Sequence, residues 1–166
     1  MADTIYKEIR KKHNMTRDEV CDEASLQDNP ITPERLERIE NGKFPITPEE
    51  VLLLSRIYKE PTLCNHYCSK ECEIGHEYVP EIKVKDLTQI VLEMLSSLNS
   101  MKKSQERLIE ITADGVIDDD EIKDFVFIQN ELERISITVE TLQLWVEQML
   151  ADEKINMDKY NEIKGQ

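Results

Sequence analysis

The stretch Ile31–Lys43, ITPERLERIENGK, contains both the start and the end signals of a short helix. Thr32 is a favourable N-cap, and Pro33 suits the first helical position. Gly42 can adopt the left-handed conformation that ends a helix. A helix of so few turns is unstable alone in water, so it must pack on neighbouring helices.

One face of this helix is apolar and the other is charged. Leu36 and Ile39 are three positions apart and therefore share a face. The opposite face carries the charged side chains Glu34, Arg35, Glu37 and Arg38. This pattern is typical of a helix that packs on one side and contacts a partner with the other.

The composition of the chain indicates an all-α protein. Its 166 residues include 4 Gly and 6 Pro, and only 5% are aromatic, whereas Glu, Lys, Leu and Ile are abundant. The sequence contains no run of ~18 apolar residues that could span a membrane, and its N-terminus lacks the apolar core of a signal peptide. We therefore expect a cytoplasmic protein whose cysteines stay reduced.

Three more helices are expected around the first stretch. One covers residues 3–13, and a second covers about 17–25, after a capping box formed by Thr16 and Glu19. A turn-rich connection, residues 25–30, then leads to the helix that begins at Pro33. The fourth helix follows a second capping box, and its apolar positions before the break at Pro61 are expected at Val51, Leu52, Leu54 and Tyr58.

The residues that carry a family resemblance are spread over these four helices. They are Ile9-Arg10, Met15-Thr16-Arg17-Asp18-Glu19-Val20, Ala24, Ile31-Thr32, Leu36 and Arg38-Ile39-Glu40-Asn41-Gly42-Lys43. In this order they resemble the Cro/C1-type (XRE family) helix-turn-helix domain of bacterial and phage repressors. The resemblance covers about residues 3–60.

The resemblance implies a DNA-binding function. In such domains the third helix enters the major groove of double-stranded DNA. It also implies an internal ion pair between Arg10 and Glu40. The residues expected to contact DNA are Thr16, Arg17, Thr32, Pro33, Glu34, Arg35, Arg38, Asn41 and Lys43, with Thr16, Arg17 and Asn41 at phosphate positions and Pro33, Glu34 and Arg38 at base positions.

The charge of the chain points to an alternative. The net charge is −14, whereas a DNA-binding surface normally carries a basic footprint. The only local basic cluster consists of Lys7, Arg10, Lys11, Lys12, His13 and Arg17. A helix-turn-helix that has lost DNA binding and serves as an adaptor for a protein partner is therefore the alternative function.

A short segment after the fourth helix is rich in possible metal ligands. They are Cys64, His66, Cys68, Cys72 and His76. Thiolates and imidazoles are the ligands of zinc sites, and thiolates those of iron–sulfur clusters. On one continuous helix, however, Cys64 and Cys72 would be about 12 Å apart along the axis. Two interpretations therefore stay open. The segment is a metal or redox sensor, or its cysteines pack as small apolar residues.

The C-terminal half shows the pattern of a long antiparallel helical hairpin. Apolar residues alternate at three and four positions in a first helix, expected over about 83–112, at Val84, Leu87, Val91, Met94, Leu98, Met101 and Leu108. The second helix repeats the pattern at Phe125, Ile128, Leu132, Ile135, Val139, Leu142, Val146 and Met149. Such seams are typical of helical hairpins and coiled coils, and we expect this hairpin to form a homodimer.

The sequence thus predicts four segments. These are a helix-turn-helix domain (1–60), a Cys/His-rich connector (61–82), a hairpin (83–151) and a polar tail (152–166). No paired acid and base, Ser–His–Asp set or phosphate-binding loop is present, so we expect no catalytic residues and no enzyme. The function expected is a sequence-specific, dimeric transcriptional regulator.

Overall fold

The structure, a computed structural model, describes residues 3–27 and 30–165, and these contain helices and no strand. They fall into two compact units. The first comprises the residues up to Glu81 and those from Glu147 onward, and the second comprises Ile82–Val146. None of the helices in the described ranges is long and apolar enough to cross a membrane. The predicted all-α fold class is confirmed.

The first unit begins with four helices whose limits follow from local signals in the sequence. They are α1 (Ile5–Lys12), α2 (Arg17–Leu26), α3 (Pro33–Glu40) and α4 (Pro48–Ile57). Both predicted capping boxes form, because the Thr16 and Thr47 hydroxyls accept from the amides of Glu19 and Glu50. Gly42 lies after α3 with a φ of +63°, where an L side chain would be strained.

The core of this unit is formed by apolar side chains from all four helices. They are Tyr6, Val20, Cys21, Ala24, Leu36, Ile39, Val51, Leu53, Leu54 and Tyr58, together with Ile31, Ile46 and Leu63. Each fully buried aliphatic side chain stabilises the fold by roughly 1.5–3 kcal/mol. One expected position is wrong: Leu52 is 48% exposed, and Leu53 is buried in its place. The helical rotation of α4 decides between these neighbours, since the run of three leucines gives no periodic signal.

Residues 62–78, within the predicted Cys/His-rich connector, form short helical segments that belong to the first unit. They are α5 (Thr62–His66), a π-helical turn (Tyr67–Glu71) and α6 (Glu73–Tyr78). Leu63 is fully buried in the core, and the Tyr6 hydroxyl donates to Glu71 at 2.7 Å. The segment belongs to the domain because it supplies an apolar side chain that closes the core.

The expected polar tail also carries structure. Helix α9 (Met157–Lys164) is capped by Asn156, whose side chain accepts from the amide of Lys159. Before it, Gln148 donates to the Lys59 carbonyl at 3.1 Å, and the Lys59 ammonium lies 2.7 Å from Glu153. These contacts join the C-terminal residues to α4 within the first unit.

The second unit is the predicted hairpin. It consists of α7 (Leu87–Ile111) and of α8 (Ile122–Ala151), the last residues of which are counted with the first unit. Arg107 binds Asp124 at 2.7 Å, and a groove further along is lined by Glu93 and Ser97 of α7 and by Arg134 and Thr138 of α8. Arg107, late in α7, binds Asp124, early in α8, whereas Glu93, early in α7, lines a groove with Arg134, later in α8. The two helices therefore run antiparallel.

The buried seam of the hairpin differs from the predicted one. Six predicted seam residues are 40–50% exposed: Val84, Leu87, Val91, Leu98, Leu132 and Val139. At four of these positions the preceding residue is buried or half-buried instead: Ile90, Ser97, Glu131 and Thr138. The predicted seam residues Met94, Met101, Leu108, Ile128, Ile135 and Leu142 are themselves buried or half-buried, and so is Ser104. Both helices have an apolar stripe wider than a two-helix seam, so the sequence pattern alone could not fix the rotation.

Candidate nucleic-acid interface

Helix α3 is held from its inner side by apolar contacts. Leu36 is fully buried and Ile39 is 3% exposed. Thr32 caps the helix by accepting from the amide of Arg35 at 3.2 Å. The outer side presents the exposed residues Glu34, Glu37 and Arg38. The turn between α2 and α3, residues 27–32, includes two residues of the predicted connection, Asp28 and Asn29, that lie outside the described residues.

A buried carboxylate ties three helices together beneath this outer surface. Arg10 of α1 donates to both Glu40 oxygens at 2.5 and 2.9 Å, and Arg17 of α2 donates to Glu40 at 2.9 Å. Burial alone would raise the pKa of Glu40, but the two guanidinium groups outweigh it and lower the pKa below its usual value. Arg10 also donates to the Met15 carbonyl at 2.8 Å, which fixes the start of α2.

Arg35, an expected DNA contact, faces α4 instead of the exterior. Its guanidinium donates to both Glu50 oxygens at 2.6 and 2.7 Å and to the Pro45 carbonyl at 2.9 Å. It also lies 4.7 Å from the centre of the Phe44 ring, a cation–π contact. A bidentate, half-buried pair of this kind orients α3 against α4 and leaves Arg35 little freedom to contact a phosphate.

The basic cluster at the N-terminus is largely neutralised by carboxylates. Lys7 and Lys11 lie 2.8 and 2.7 Å from Asp3, and Lys12 and His13 both contact Glu60. Arg10 and Arg17 of the same cluster bind Glu40, as described above. The pairs on the surface are weak and exchange readily with other anions, whereas those to Glu40 are buried.

The outer ends of α2 and α3 border a shallow cleft. It is lined by Arg10, Thr16, Arg17, Asp18, Pro33, Glu34 and Glu37. Arg17 reaches into it and lies 3.6 Å from Glu37 as well as near Glu40. The sequence analysis did not name Asp18 or Glu37 as site residues. Glu37 could have been found, because it lies three residues after Glu34 and therefore shares its outer face.

The remaining residues that are expected to contact DNA differ in whether their polar groups already have partners within the chain. The Thr16 hydroxyl and amide are engaged with the Glu19 carboxylate at 2.9 and 2.7 Å. Asn41 is the half-buried C-cap of α3, and Lys43 is exposed after it. The Arg38 guanidinium has no hydrogen-bond or ion-pair partner among residues 3–27 and 30–165, so it is free to bind an external group.

The cysteine-rich segment does not assemble a metal site in the described part of the chain. No three His, Cys, Asp or Glu side chains there are arranged to hold an ion. Cys72 caps α6 by accepting from the Gly75 amide at 3.4 Å, and His66 lies 3.6 Å from Glu71. Burial, and then the neighbouring thiols, raise the pKa of Cys68, which favours the neutral thiol. Metal binding by Cys64, Cys68, Cys72, His66 and His76 therefore stays a prediction.

A glycine explains how this segment is packed. A Cβ atom on Gly75 would lie 2.0 Å from the Cys68 carbonyl oxygen, far inside van der Waals contact. Helix α6 can thus pack closely on the π-helical turn only because residue 75 has no side chain.

Comparison with known proteins identifies the N-terminal part of the chain. A family model described as helix-turn-helix matches residues 7–63. A search of curated proteins found no match. A search of solved structures likewise found none. The matched residues cover most of α1 and all of α2 to α4, including the bound pair of Arg10 and Glu40 and the outward face of α3. Residues 7–63 of this chain are therefore a helix-turn-helix domain of the Cro/C1 type (XRE family).

Proposed function

We propose that the chain is a sequence-specific transcriptional regulator that binds double-stranded DNA as a homodimer. The observation that carries the proposal is the free guanidinium of Arg38, on the outward face of α3 in a domain of this family. A regulator of this kind acts on DNA in the cytoplasm. The dimer supplies two helix-turn-helix domains, which can bind two half-sites about one DNA turn apart.

The outward face of α3 suggests which bases it contacts. Arg38 can donate two hydrogen bonds to the O6 and N7 acceptors of guanine. Glu34 and Glu37 are acceptors, and carboxylates accept from the N4 amino group of cytosine. Pro33 has no donor and can contact only a thymine methyl group. The preferred half-site is therefore expected to contain G·C pairs in the groove facing α3.

Phosphate contacts are proposed for a smaller set than the sequence suggested. Thr16 lies at the N-terminus of α2, where backbone amides attract anions, and Asn41 and Lys43 follow the end of α3. Arg17 and Arg35 are assigned to orientation of the helices because both bind carboxylates. With so few free cations, the affinity should fall less steeply with salt than for a strongly basic domain.

A mobility-shift experiment against genomic fragments at low salt tests this proposal. Arg38→Ala should weaken binding to the preferred fragments by roughly 5- to 150-fold, as expected for loss of a bidentate base contact of about 1–3 kcal/mol. The matched control is Arg56→Ala, since Arg56 is an exposed arginine on α4. Equal weakening on all sequences would place Arg38 on a phosphate instead of a base.

The alternative, an adaptor that binds a protein, is supported by a separate observation. All six basic side chains of the N-terminal cluster contact carboxylates, and three further carboxylates line the cleft beside α3. Such a surface repels phosphates and suits a basic partner. Complete absence of binding to any fragment at low salt would favour this function over the first.

A further inference from the structure

The hairpin has one apolar face that the single chain leaves uncovered. We define the apolar face as the exposed apolar residues that lie one position after a seam residue: Val91, Leu95, Leu98, Ile109, Leu132 and Val139. Their exposed fractions are 40–62%. Polar residues occupy the other positions of the same row: Lys102, Gln105, Gln129, Ser136 and Gln143. Monomeric proteins seldom cluster this many exposed apolar side chains on one side.

These residues lie on the same side of the hairpin for a geometric reason. One residue along a helix turns the side chain by about 100°. Because α7 and α8 run antiparallel with their seams facing each other, the same turn in both helices directs the side chains to one side of their common plane. Leu95 and Leu132, which follow Met94 and Glu131, therefore belong to one surface.

The opposite side of the hairpin is charged. It carries Glu93, which binds Lys85 at 2.6 Å, and Arg107, which binds Asp124 at 2.7 Å. Arg134 lies there too and is 71% exposed. This side is thus mostly polar apart from Phe127, which is 51% exposed, whereas the other side carries the six residues of the apolar face.

The seam between the two helices adds a second reason to expect a partner. Polar side chains occupy much of it: Ser97 and Ser104 on α7, and Glu131 and Thr138 on α8. The Glu131 carboxylate is buried and has one contact, to Arg134 at 3.2 Å. The seam therefore buries polar side chains beside apolar ones such as Ile90 and Ile128, and association would bury more of the apolar side chains of the hairpin.

We infer that the apolar face binds the same face of a second copy, so that two hairpins form a four-helix bundle. This inference rests on the dimer of the proposed function and names its interface. A face that spans residues 91–109 is about 27 Å long, and with a width of about 20 Å it covers roughly 540 Å² per copy. Two such faces bury about 1,100 Å², which exceeds the roughly 1,000 Å² that a specific interface needs.

The borders of the face argue against a membrane as its partner. Glu133 and Glu140 flank the α8 part of the face, and Lys103, Glu106 and Glu110 lie one position beyond it on α7. Anionic lipid surfaces attract basic borders and repel acidic ones. A two-fold pair of identical chains also matches the two-fold symmetry of paired DNA half-sites.

Sedimentation equilibrium of the full chain at micromolar concentrations tests the interface. Leu95→Asp and Leu132→Asp each place a charge on the apolar face. Since both copies carry the change, the dimer dissociation constant should rise by about 100-fold or more. The matched controls are Leu92→Asp and Val126→Asp, because these apolar residues are 63% and 45% exposed but lie off the face. Leu92 is one position beyond Val91, and Val126 is about 120° around α8 from Leu132.

The wild-type chain and both control variants are expected to remain dimers. Circular dichroism and the fluorescence of Trp145, the single tryptophan, verify that each variant is folded. A monomeric wild-type chain overturns the inference, including when the monomer co-sediments with phosphatidylserine vesicles. Equal dissociation by face and control variants overturns it too. A dimer that depends on Leu95 but binds no DNA supports the interface and contradicts the proposed DNA function.

Discussion

The helix-turn-helix domain and the hairpin treat their apolar side chains in opposite ways. In the first unit thirteen apolar residues form a closed core, whereas the hairpin leaves 14 large apolar side chains between Val84 and Val139 exposed. The first unit also buries a charge, Glu40, and pairs it with two arginines. A domain that completes its core within one chain can stand alone, whereas we propose that a second copy covers the apolar face of the hairpin.

The largest expected effect is removal of the buried carboxylate. Glu40→Ala leaves Arg10 and Arg17 without their shared partner, and Arg10 is only 12% exposed. Breaking a buried pair in this way costs about 3–5 kcal/mol of unfolding free energy. Urea unfolding followed by circular dichroism measures the change. A loss below ~1 kcal/mol would show that the network contributes little to the domain.

The second prediction compares leucines of the two regions directly. Leu54→Ala, in the closed core, should lower the free energy of unfolding by about 2–5 kcal/mol at every protein concentration. Leu98→Ala, on the apolar face, should lower the free energy of unfolding little when the chain is dilute and more as the concentration rises, because burial of Leu98 depends on the second copy.

The fluorescence of Trp145 follows unfolding of the hairpin in this experiment, and far-ultraviolet circular dichroism follows the whole chain. If the melting temperature of the hairpin does not change with protein concentration, the contrast between the two regions is wrong.

The third prediction concerns the segment after α4. Gly75→Ala places a Cβ atom against the Cys68 carbonyl and forces α6 away from the π-helical turn. The strain should destabilise the first unit by about 1–3 kcal/mol. Gly165→Ala is the control, since its nearest contact is at 3.3 Å to an exposed helix end. Equal stability of both variants would contradict the close packing of α6.

The fourth prediction concerns protonation of Glu40, which should change the free energy of unfolding least near neutral pH. The folded-state pKa of Glu40 lies below its ordinary value of 4.5, so the unfolded chain binds this proton more readily. The resulting stabilisation is complete above pH 4.5 and is lost as the pH falls through the folded-state pKa. Glu40→Gln should therefore flatten the acid side of the stability–pH curve. Identical acid midpoints for both proteins would rule out this contribution.

Local signals in the sequence predicted the helix-turn-helix domain well. The two capping boxes, the Pro33 start of α3 and the turn at Gly42 depend on residues that are close in the chain. Pairing of charges was not predictable in the same way. Arg35 was expected at DNA, but it binds Glu50, and Lys12 binds Glu60, which is 48 residues away. Only the fold brings such partners together.

The hairpin shows a different limit of sequence analysis. Its helices and their antiparallel arrangement follow from periodicity, but the stripe of apolar residues is wider than one seam. Val91 and Ile90 are both apolar, and periodicity cannot say which is buried by the neighbouring helix and which is left for a partner. The structure resolves this with Ile90 fully buried and Val91 42% exposed.

The central claim, a dimeric regulator that recognises specific DNA through α3, is tested most directly by selection from a random pool of duplex DNA at low salt. The account predicts enrichment of an inverted repeat whose half-sites are centred about 10 base pairs apart and contain G·C pairs. Arg38→Ala should lose the preference at one position of each half-site, and Leu95→Asp should enrich single half-sites. A pool that stays random after repeated selection with the wild-type chain would contradict the claim.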